Sequence, residues 1–273
     1  MLNEDIKHKI WACEMQILDV FDDICRKNNL KYSLAYGTLI GAIRHKGFIP
    51  WDDDIDVTMP REDYNKLLNI WNQVASSEYL LVNHNLYEGF NQNFSKIVAK
   101  NTTFLQEYNK DRADKFPQGF FIDIFPCDRI ATNKIGKKLQ FLANAVSMLY
   151  VRGYRSGTGG AIGIAERILL CVTPSFRKRI MKFTDRYAQK WNKSANSEWI
   201  APCTFLDCRR AFSSTLFDSV IEVDFEDRKY LAVAEYDSYL KKVYGDYMKL
   251  PPVEKRVWSH KPIKIDFEYG YKA

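Results

Sequence analysis

In the stretch IPWDDDIDVTM, residues 49–59, a run of aspartates is followed by apolar residues that alternate with polar ones. Apolar and polar residues alternate through residues 54–59, and this pattern predicts a strand with one buried face. Residues two apart on a strand point to the same side, so Asp54 and Asp56 should lie side by side, about 7 Å apart along the chain. The acids of the stretch are Asp52, Asp53, Asp54 and Asp56.

Such a carboxylate pair indicates a cation site. Two close carboxylates repel each other unless a proton or a cation lies between them, and hard oxygen ligands suit Mg²⁺ or Mn²⁺. The ion would neutralise the phosphates of a nucleotide. Two other interpretations stay open: a solvated acidic loop that caps the following helix, and a calcium loop. The calcium loop is disfavoured because Val57 stands where it requires glycine.

The sequence before this stretch favours phosphate binding. Residues 32–36 predict a short strand and residues 38–44 a short helix, so Gly37 and Thr38 lie at the turn between them. Glycine lets a phosphate approach the backbone, and the N–H groups that open a helix favour anions. Arg44 and Lys46 add positive charge between this helix and the acidic stretch.

A further acid falls inside the apolar run FFIDIF at residues 120–125. Asp123 in that run would be costly to bury unless it is paired or binds a metal, so it is the candidate third carboxylate. Asp128 follows a Pro-Cys dipeptide and is expected to act as a cap.

Periodicity predicts the remaining elements and an α+β fold, with a mixed sheet flanked by helices and an additional C-terminal helical region. We expect residues 1–130 to form the catalytic core. Residues 131–273 should supply a helical region and a tail that complete the site within one continuous unit. The predicted helices are 3–29 (capped by Asn3), 61–74, 135–152, 161–191 (interrupted at Pro174) and 229–244, and the further strands are 94–100 and 119–125.

Composition narrows the class of protein. The chain has 273 residues, 46% of them hydrophobic, and a net charge of +6, which indicates a folded protein. The first residues carry no apolar signal core, and the six cysteines lack zinc-site spacing, so we expect reduced thiols and a cytoplasmic location. The close pair Cys203 and Cys208 could bind a metal or react with oxidants. No basic stripe interleaved with aromatic residues is present, so nucleic acid is not an expected partner.

Three stretches carry a family resemblance: YGTLIGAIRHKGFIPWDDDIDVTM (36–59), FIDIFPCD (121–128), and the tail YGDYMKLPP (244–252) followed by His260. They resemble the LicD family of bacterial phosphocholine transferases, which is related to the fukutin-type ribitol-phosphate transferases of animals. The resemblance implies a nucleotidyltransferase-like fold.

It also implies a metal-dependent enzyme that moves phosphocholine from CDP-choline to a sugar hydroxyl and releases CMP. The acceptor would be a cell-surface glycan: teichoic acid, lipooligosaccharide or a capsule precursor. By motif position the Mg²⁺ or Mn²⁺ ligands are Asp52, Asp54, Asp56 and Asp123. The last three of these are also the catalytic candidates.

Gly37, Thr38 and Arg44 would contact the donor phosphates. Two alternatives remain: a CDP-ribitol or CDP-glycerol donor, and a nucleotidyltransferase that releases pyrophosphate.

A choline head group would favour an aromatic cage. The candidate substrate-binding residues are Tyr36, Trp51, Lys46 and His260, and Tyr244, Tyr247 and Trp258 are further aromatic residues of the tail. Segments 134–152 and 166–183 combine basic and apolar residues, which is typical of helices that lie in a membrane interface. They predict peripheral association with the inner face of the cell membrane; the alternative is two helices packed on the core.

Overall fold

The computed structural model describes residues 4–155, 157, 159–194, 196–202, 210–258, 260 and 262–272. Its helices are α1 (Glu4–Lys27), α2 (Tyr36–Ile40), α3 (Arg61–Val74), α4 (Lys134–Arg152), α5 (Gly160–Leu170), α6 (Pro174–Gln189) and α7 (Tyr236–Tyr244). Its strands are β1 (Ser33–Leu34), β2 (Asp56–Pro60), β3 (Tyr79–Val82), β4 (Ser95–Ala99), β5 (Thr103–Gln106), β6 (Phe121–Arg129), β7 (Trp199–Pro202), β8 (Phe212–Ser213), β9 (Val220–Phe225), β10 (Arg228–Val233) and β11 (Pro262–Asp266). Asn3, Cys203 and Cys208 lie outside the described residues.

The main sheet is mixed, as the sequence predicts. Its strands follow the order β1-β2-β6-β4-β3, with β7 on β6 and β8 beyond β7. Strands β2 and β6 run parallel and the other neighbours are antiparallel. Ile55, Val57 and Met59 are fully buried, so the apolar face predicted for this strand is confirmed.

Helices α1 and α3 cover the sheet through apolar stripes. Ile10, Ile17 and Phe21 of α1 have no exposed surface. Burying side chains of this size stabilises the fold by about 1.5–3 kcal/mol each. The indole N–H of Trp71 on α3 donates to the carbonyl of Tyr79 at 3.0 Å, which joins the helix to the start of β3.

The C-terminal half departs from the predicted helical region. Helices α4 to α6 are present, and α6 begins at Pro174, but strands β7 to β11 follow them. The helix predicted at 229–244 is wrong in its first part: residues 228–233 are strand β10, paired with β9, and only α7 is helical. Tyr230 and Ala232 are buried on one face of β10, so tertiary pairing overrides a helical reading of RKYLAV.

Asp128 is not a cap. Strand β6 continues through Pro126 and Cys127, and Asp128 lies on it with no exposed side-chain surface. Arg61 donates to both of its carboxylate oxygens, at 2.8 and 2.7 Å. The pair fastens the start of α3 to the end of β6.

Two small sheets complete the fold. The β9–β10 hairpin contacts β1, where the N–H of Val233 donates to the hydroxyl of Ser33 at 3.0 Å. Strand β11 of the tail pairs antiparallel with β5. None of the helices in the described ranges combines the length and apolar character needed to cross a bilayer.

Candidate active site

Strands β2 and β6 bring two of the predicted carboxylates opposite each other. Asp56 and Asp123 are register partners in the parallel pair, where neighbouring strands lie about 4.8 Å apart. The N–H of Asp123 donates to the carbonyl of Ile55 at 2.8 Å, and the N–H of Asp56 donates to the hydroxyl of Thr38 at 2.8 Å. Thr38 thus fixes the first residue of β2 from within α2, because that helix begins at Tyr36 and includes Gly37 and Thr38 instead of following them.

Asp54 lies just before β2, which begins at Asp56 rather than at the predicted residue 54. After burial, the charge of Asp54 is the largest cause of the raised pKa of Asp56, so the two carboxylates are neighbours. The loop that carries Asp52 and Asp54 is held from α1, because the indole N–H of Trp11 donates to the carbonyl of Asp52 at 3.1 Å. A Cβ atom on Gly37 would meet a carboxylate oxygen of Asp52 at 2.2 Å. Glycine at position 37 therefore makes room for the Asp52 carboxylate.

His260 joins the cluster from the distant tail. The backbone N–H of His260 donates to one carboxylate oxygen of the buried Asp53 at 2.9 Å, and the ring Nδ1 of His260 lies 3.1 Å from the other oxygen. The same nitrogen is 3.9 Å from Asp54. Within the described part of the chain, Asp53, Asp54 and His260 form a group whose ligand atoms lie within 4.8 Å of one another. Because His260 contacts both oxygens of Asp53, Asp53 serves to anchor the tail.

The carboxylates have raised pKa values. Burial, followed by the charges of Asp54 and Asp53, raises the pKa of Asp52 to about 8. Burial raises the pKa of Asp54 to about 6, although His260 opposes the rise. The pKa of Asp56 lies well above its ordinary value because of burial and the neighbouring Asp54 and Asp123 charges. The cluster is short of positive charge, and a divalent cation fits a hard oxygen donor set of this kind.

Lys96 and Glu14 belong to this cluster and were not predicted. The Lys96 ammonium on β4 lies 2.6 Å from Asp123 and 3.2 Å from the centre of the Phe121 ring. Burial raises the pKa of Asp123, while the Lys96 charge lowers it. Glu14 on α1 is 1% exposed, and its Oε2 has no hydrogen-bond partner in the described part of the chain. The sequence signal that could have identified Glu14 is the presence of an acidic residue on the apolar face of α1.

The pKa of Glu14 lies well above its ordinary value, first because of burial and then because of the charges of Asp54, Asp53 and Asp52. Such an environment favours the protonated form of a carboxyl group. Glu14 is therefore a buried acid whose pKa is coupled to the charges of the acidic loop.

Two arginines form a basic cluster beside the acidic loop. Burial and the charge of Arg256 both lower the pKa of Arg44, so the two guanidinium groups repel each other. Arg44 donates to the carbonyl of Tyr247 at 2.5 Å, and Arg256 lies over the Trp51 ring at 5.1 Å. Neither arginine has a carboxylate partner among the ion pairs of the described residues. Paired guanidinium groups of this kind are suited to a phosphate.

The predicted aromatic residues do not gather into one cage. Trp51 contacts Arg256 and His45, and Tyr247 is buried with its hydroxyl donating to Asp237 at 2.9 Å. Tyr36 packs instead against Phe125, with ring centres 5.2 Å apart. Lys46 is exposed and has a left-handed backbone at the end of the helical segment Gly41–His45 that continues α2. Its carbonyl accepts a hydrogen bond from the backbone N–H of Glu226.

A half-exposed aromatic trio lies next to the carboxylates, formed by Tyr36, Phe125 and Phe94. The rings of Phe94 and Phe125 are 4.5 Å apart, and Phe125 lies on the same face of β6 as Asp123. Tyr36 has a φ of 46°, which is uncommon for a residue with a side chain and is often found at functional sites. Phe94 and Phe125 were missed because apolar aromatic residues in strands usually belong to the core.

The end of β5 and the segment that follows it supply further polar groups near the site. Partial burial, followed by the charge of Asp123, raises the pKa of Tyr108. Gln106 Nε2 and Asn109 Oδ1 are buried without a hydrogen-bond partner in the described part of the chain. Buried polar atoms are nearly always bonded, so these amides are candidates for contact with a substrate.

Residues 29–139, which contain the paired strands and the acidic loop, match the family model described as LicD/FKTN/FKRP, nucleotidyltransferase domain. Over these residues the chain is similar to the LicD family. It is 29% identical over 255 residues to the lipopolysaccharide cholinephosphotransferase LicD of Haemophilus influenzae, and the match covers 90% of this chain and 92% of that protein. An uncharacterised protein of Rickettsia prowazekii is 34% identical over 110 residues, about two fifths of either chain.

Proposed function

We propose that this protein transfers phosphocholine from CDP-choline to a sugar hydroxyl of a lipopolysaccharide-type glycan, with release of CMP. One observation carries the proposal: a buried carboxylate cluster with raised pKa values stands beside a repelling pair of arginines. Such a site is suited to binding a cation and an anion together. The match to the LicD family model and the name of the Haemophilus relative support the choice of group and acceptor.

The nucleotidyltransferase-like fold belongs to the same proposal and is supported by the description of the family domain. Asp54, Asp56 and Asp123 would hold Mg²⁺ or Mn²⁺, with Asp52 beside them. The bound ion would supply the positive charge that neutralises a diphosphate.

The residues of the chain have separate roles in this reaction. Arg44 and Arg256 bind the donor phosphates with charge-assisted hydrogen bonds. Asp123 accepts the proton of the attacking hydroxyl, and Lys96 holds its carboxylate in position. The acceptor oxygen forms a bond to the phosphorus that bears choline, and the bond from that phosphorus to the CMP oxygen breaks. Rate acceleration comes mainly from positioning and charge neutralisation.

The aromatic trio Tyr36, Phe94 and Phe125 is the proposed contact for the quaternary ammonium. A cation over a desolvated aromatic face gains about 2 kcal/mol, roughly thirtyfold in affinity. The ammonium of ethanolamine is better hydrated and costs more to desolvate. We therefore expect CDP-choline to be the better donor by at least about tenfold.

The test is an assay of CMP release from CDP-choline, CDP-ethanolamine, CDP-glycerol and CDP-ribitol, with Mg²⁺ and with a chelator. CDP-choline should have the highest specificity constant, and the chelator should abolish release. A preference for CDP-ribitol or CDP-glycerol would overturn the choline assignment. Pyrophosphate release from a nucleoside triphosphate would instead indicate nucleotidyl transfer.

A further inference from the structure

Positive charge is concentrated in one part of the chain, the helical arm of residues 134–190, which contains α4, α5 and α6. The arm holds twelve of the 40 basic residues and two of the 34 acidic ones, a net charge of +10. The rest of the chain holds the other 28 basic and 32 acidic residues, a net charge of −4. The net charge of +6 for the whole protein therefore arises entirely from the arm.

Helix α5 is apolar and largely uncovered. Its sequence is GAIGIAERILL, and only Gly163 and Glu166 are buried. Ile162, Ile164 and Ile168 are each more than 60% exposed. The carboxylate of Glu166 accepts from Arg152 at 2.7 Å, which attaches the helix to the end of α4. Contiguous exposed apolar surface is rare in monomeric proteins and marks an interaction site.

The two long helices of the arm add exposed apolar stripes with basic residues among them. On α4, Ile135, Leu139 and Leu142 follow helical spacing and are 46–72% exposed. On α6, Phe176 and Phe183 lie two turns apart on one face and are 50% and 68% exposed. Lys138 falls within the α4 stripe and Arg179 within the α6 stripe, and both are exposed.

We propose that the arm docks on an anionic lipid bilayer, with α5 inserted in the interface and the basic residues of α4 and α6 on the headgroups. Amphipathic helices bind in this way through buried apolar area and attraction to anionic lipid. Charge decides between a bilayer and a second copy of the chain, because two arms of +10 would repel each other in a dimer. This inference does not rest on the proposed function.

The arm lies against a loop that leads to the carboxylate cluster. Lys178 of α6 is 3.4 Å from Glu88, and the neighbouring Phe90 packs edge-on against Phe94, with ring centres 6.2 Å apart. Phe94 in turn lies 5.7 Å from the ammonium of Lys96, which holds Asp123. A bilayer on the arm would therefore lie near the candidate active site.

The test is flotation of the full chain with phosphatidylcholine vesicles that contain or lack phosphatidylglycerol, at low and at high salt. We expect binding only to the anionic vesicles at low salt, because salt screens surface charge. Ile168→Asp should weaken binding tenfold or more, because it removes an aliphatic side chain that would become buried in the lipid on binding. Arg179→Glu should weaken it about fivefold or more.

Matched control variants carry the same kinds of substitution at exposed positions outside the arm. Ile221→Asp alters an exposed isoleucine of the β9–β10 hairpin, and Lys249→Glu reverses an exposed charge of the tail. Both should float like the unchanged protein. Equal losses in the arm and control variants, or no binding to anionic vesicles at low salt, would overturn the proposal. So would a dimer in light scattering that Ile168→Asp converts to monomer.

Discussion

The carboxylate cluster and the helical arm place charge in opposite ways. The cluster buries acids from α1, the 52–54 loop, β2 and β6 in the protein, where hydrogen bonds or strand register fix Asp53, Asp56 and Asp123. The arm exposes bases and apolar side chains on helices that the core scarcely covers. Charge buried in a low dielectric needs a specific partner, whereas charge on a surface responds to any large opposite surface. Substitutions in the cluster should therefore reduce turnover, whereas substitutions in the arm should reduce binding to vesicles.

The largest expected effect is at the paired strands. Asp56→Asn should lower turnover about a thousandfold or more, because it removes charge that offsets a bound cation while keeping the shape of the side chain. Stability without metal should hold or rise, since one of several repelling carboxylates is gone. The measurements are CMP release and thermal unfolding with a chelator.

Near-normal turnover of Asp56→Asn in Mg²⁺ would show that Asp56 is not a metal ligand. Asp224→Asn is the control, because Asp224 is an exposed acid on β9. It should leave both activity and lipid flotation unchanged.

The next effect is at the basic cluster. Arg44→Lys keeps the charge but loses the planar fork that binds phosphate through two parallel hydrogen bonds. We expect the specificity constant for CDP-choline to fall about 10–100-fold. Arg129→Lys is the matched control, because Arg129 also donates to a carbonyl, that of Ser197 at 2.8 Å, but at the end of β6. Equal losses in the two variants would argue against a phosphate contact at Arg44.

A smaller effect is expected at the aromatic trio. Phe125→Leu keeps apolar bulk but removes the ring face, so the preference for CDP-choline over CDP-ethanolamine should fall about tenfold or more. The ratio of the two specificity constants measures this change. Phe183→Leu removes an exposed ring of the arm and should leave the ratio intact. An unchanged ratio in Phe125→Leu would mean that the head group binds elsewhere.

The smallest effect concerns pH and stability. The raised pKa values of Glu14 and of Asp52, the latter about 8, mean that the folded state holds protons that the unfolded state has lost above about pH 4.5. Stability in a chelator should therefore be greatest at mildly acidic pH and fall as pH rises toward 8. Glu14→Gln should reduce this slope and change stability at pH 7 by only about 1 kcal/mol. A slope as steep as that of the unchanged protein would show that Glu14 is not part of the coupled cluster.

The sequence predicted the centre of the site better than its surroundings. Alternation around Ile55 and Val57 located β2, and an acid within an apolar run located Asp123. Both signals come from the cost of burying charge, which short stretches of sequence display. His260 was identified only through the family resemblance, and its contact with Asp53 could not be foreseen because it depends on the tail's path.

The incorrect predictions for residues 228–233 and for Asp128 have a common physical cause. Residues 228–233 pair with β9, and Asp128 pairs with Arg61, so partners distant in sequence decide both structures. Lys96 was missed for the same reason: only its register opposite Asp123 gives it a role. The short strands β5 and β11 carry little periodicity, and they are stable because they pair with each other.

The contact between His260 and Asp53 spans 207 positions of the chain. A ribosome must therefore release residue 260 before Asp53 can acquire its partner, although the strands that bear Asp56 and Asp123 are synthesised much earlier. Closing so long a loop is entropically costly and slow compared with local pairing. Nascent chains should thus carry an incomplete carboxylate cluster until synthesis is nearly finished.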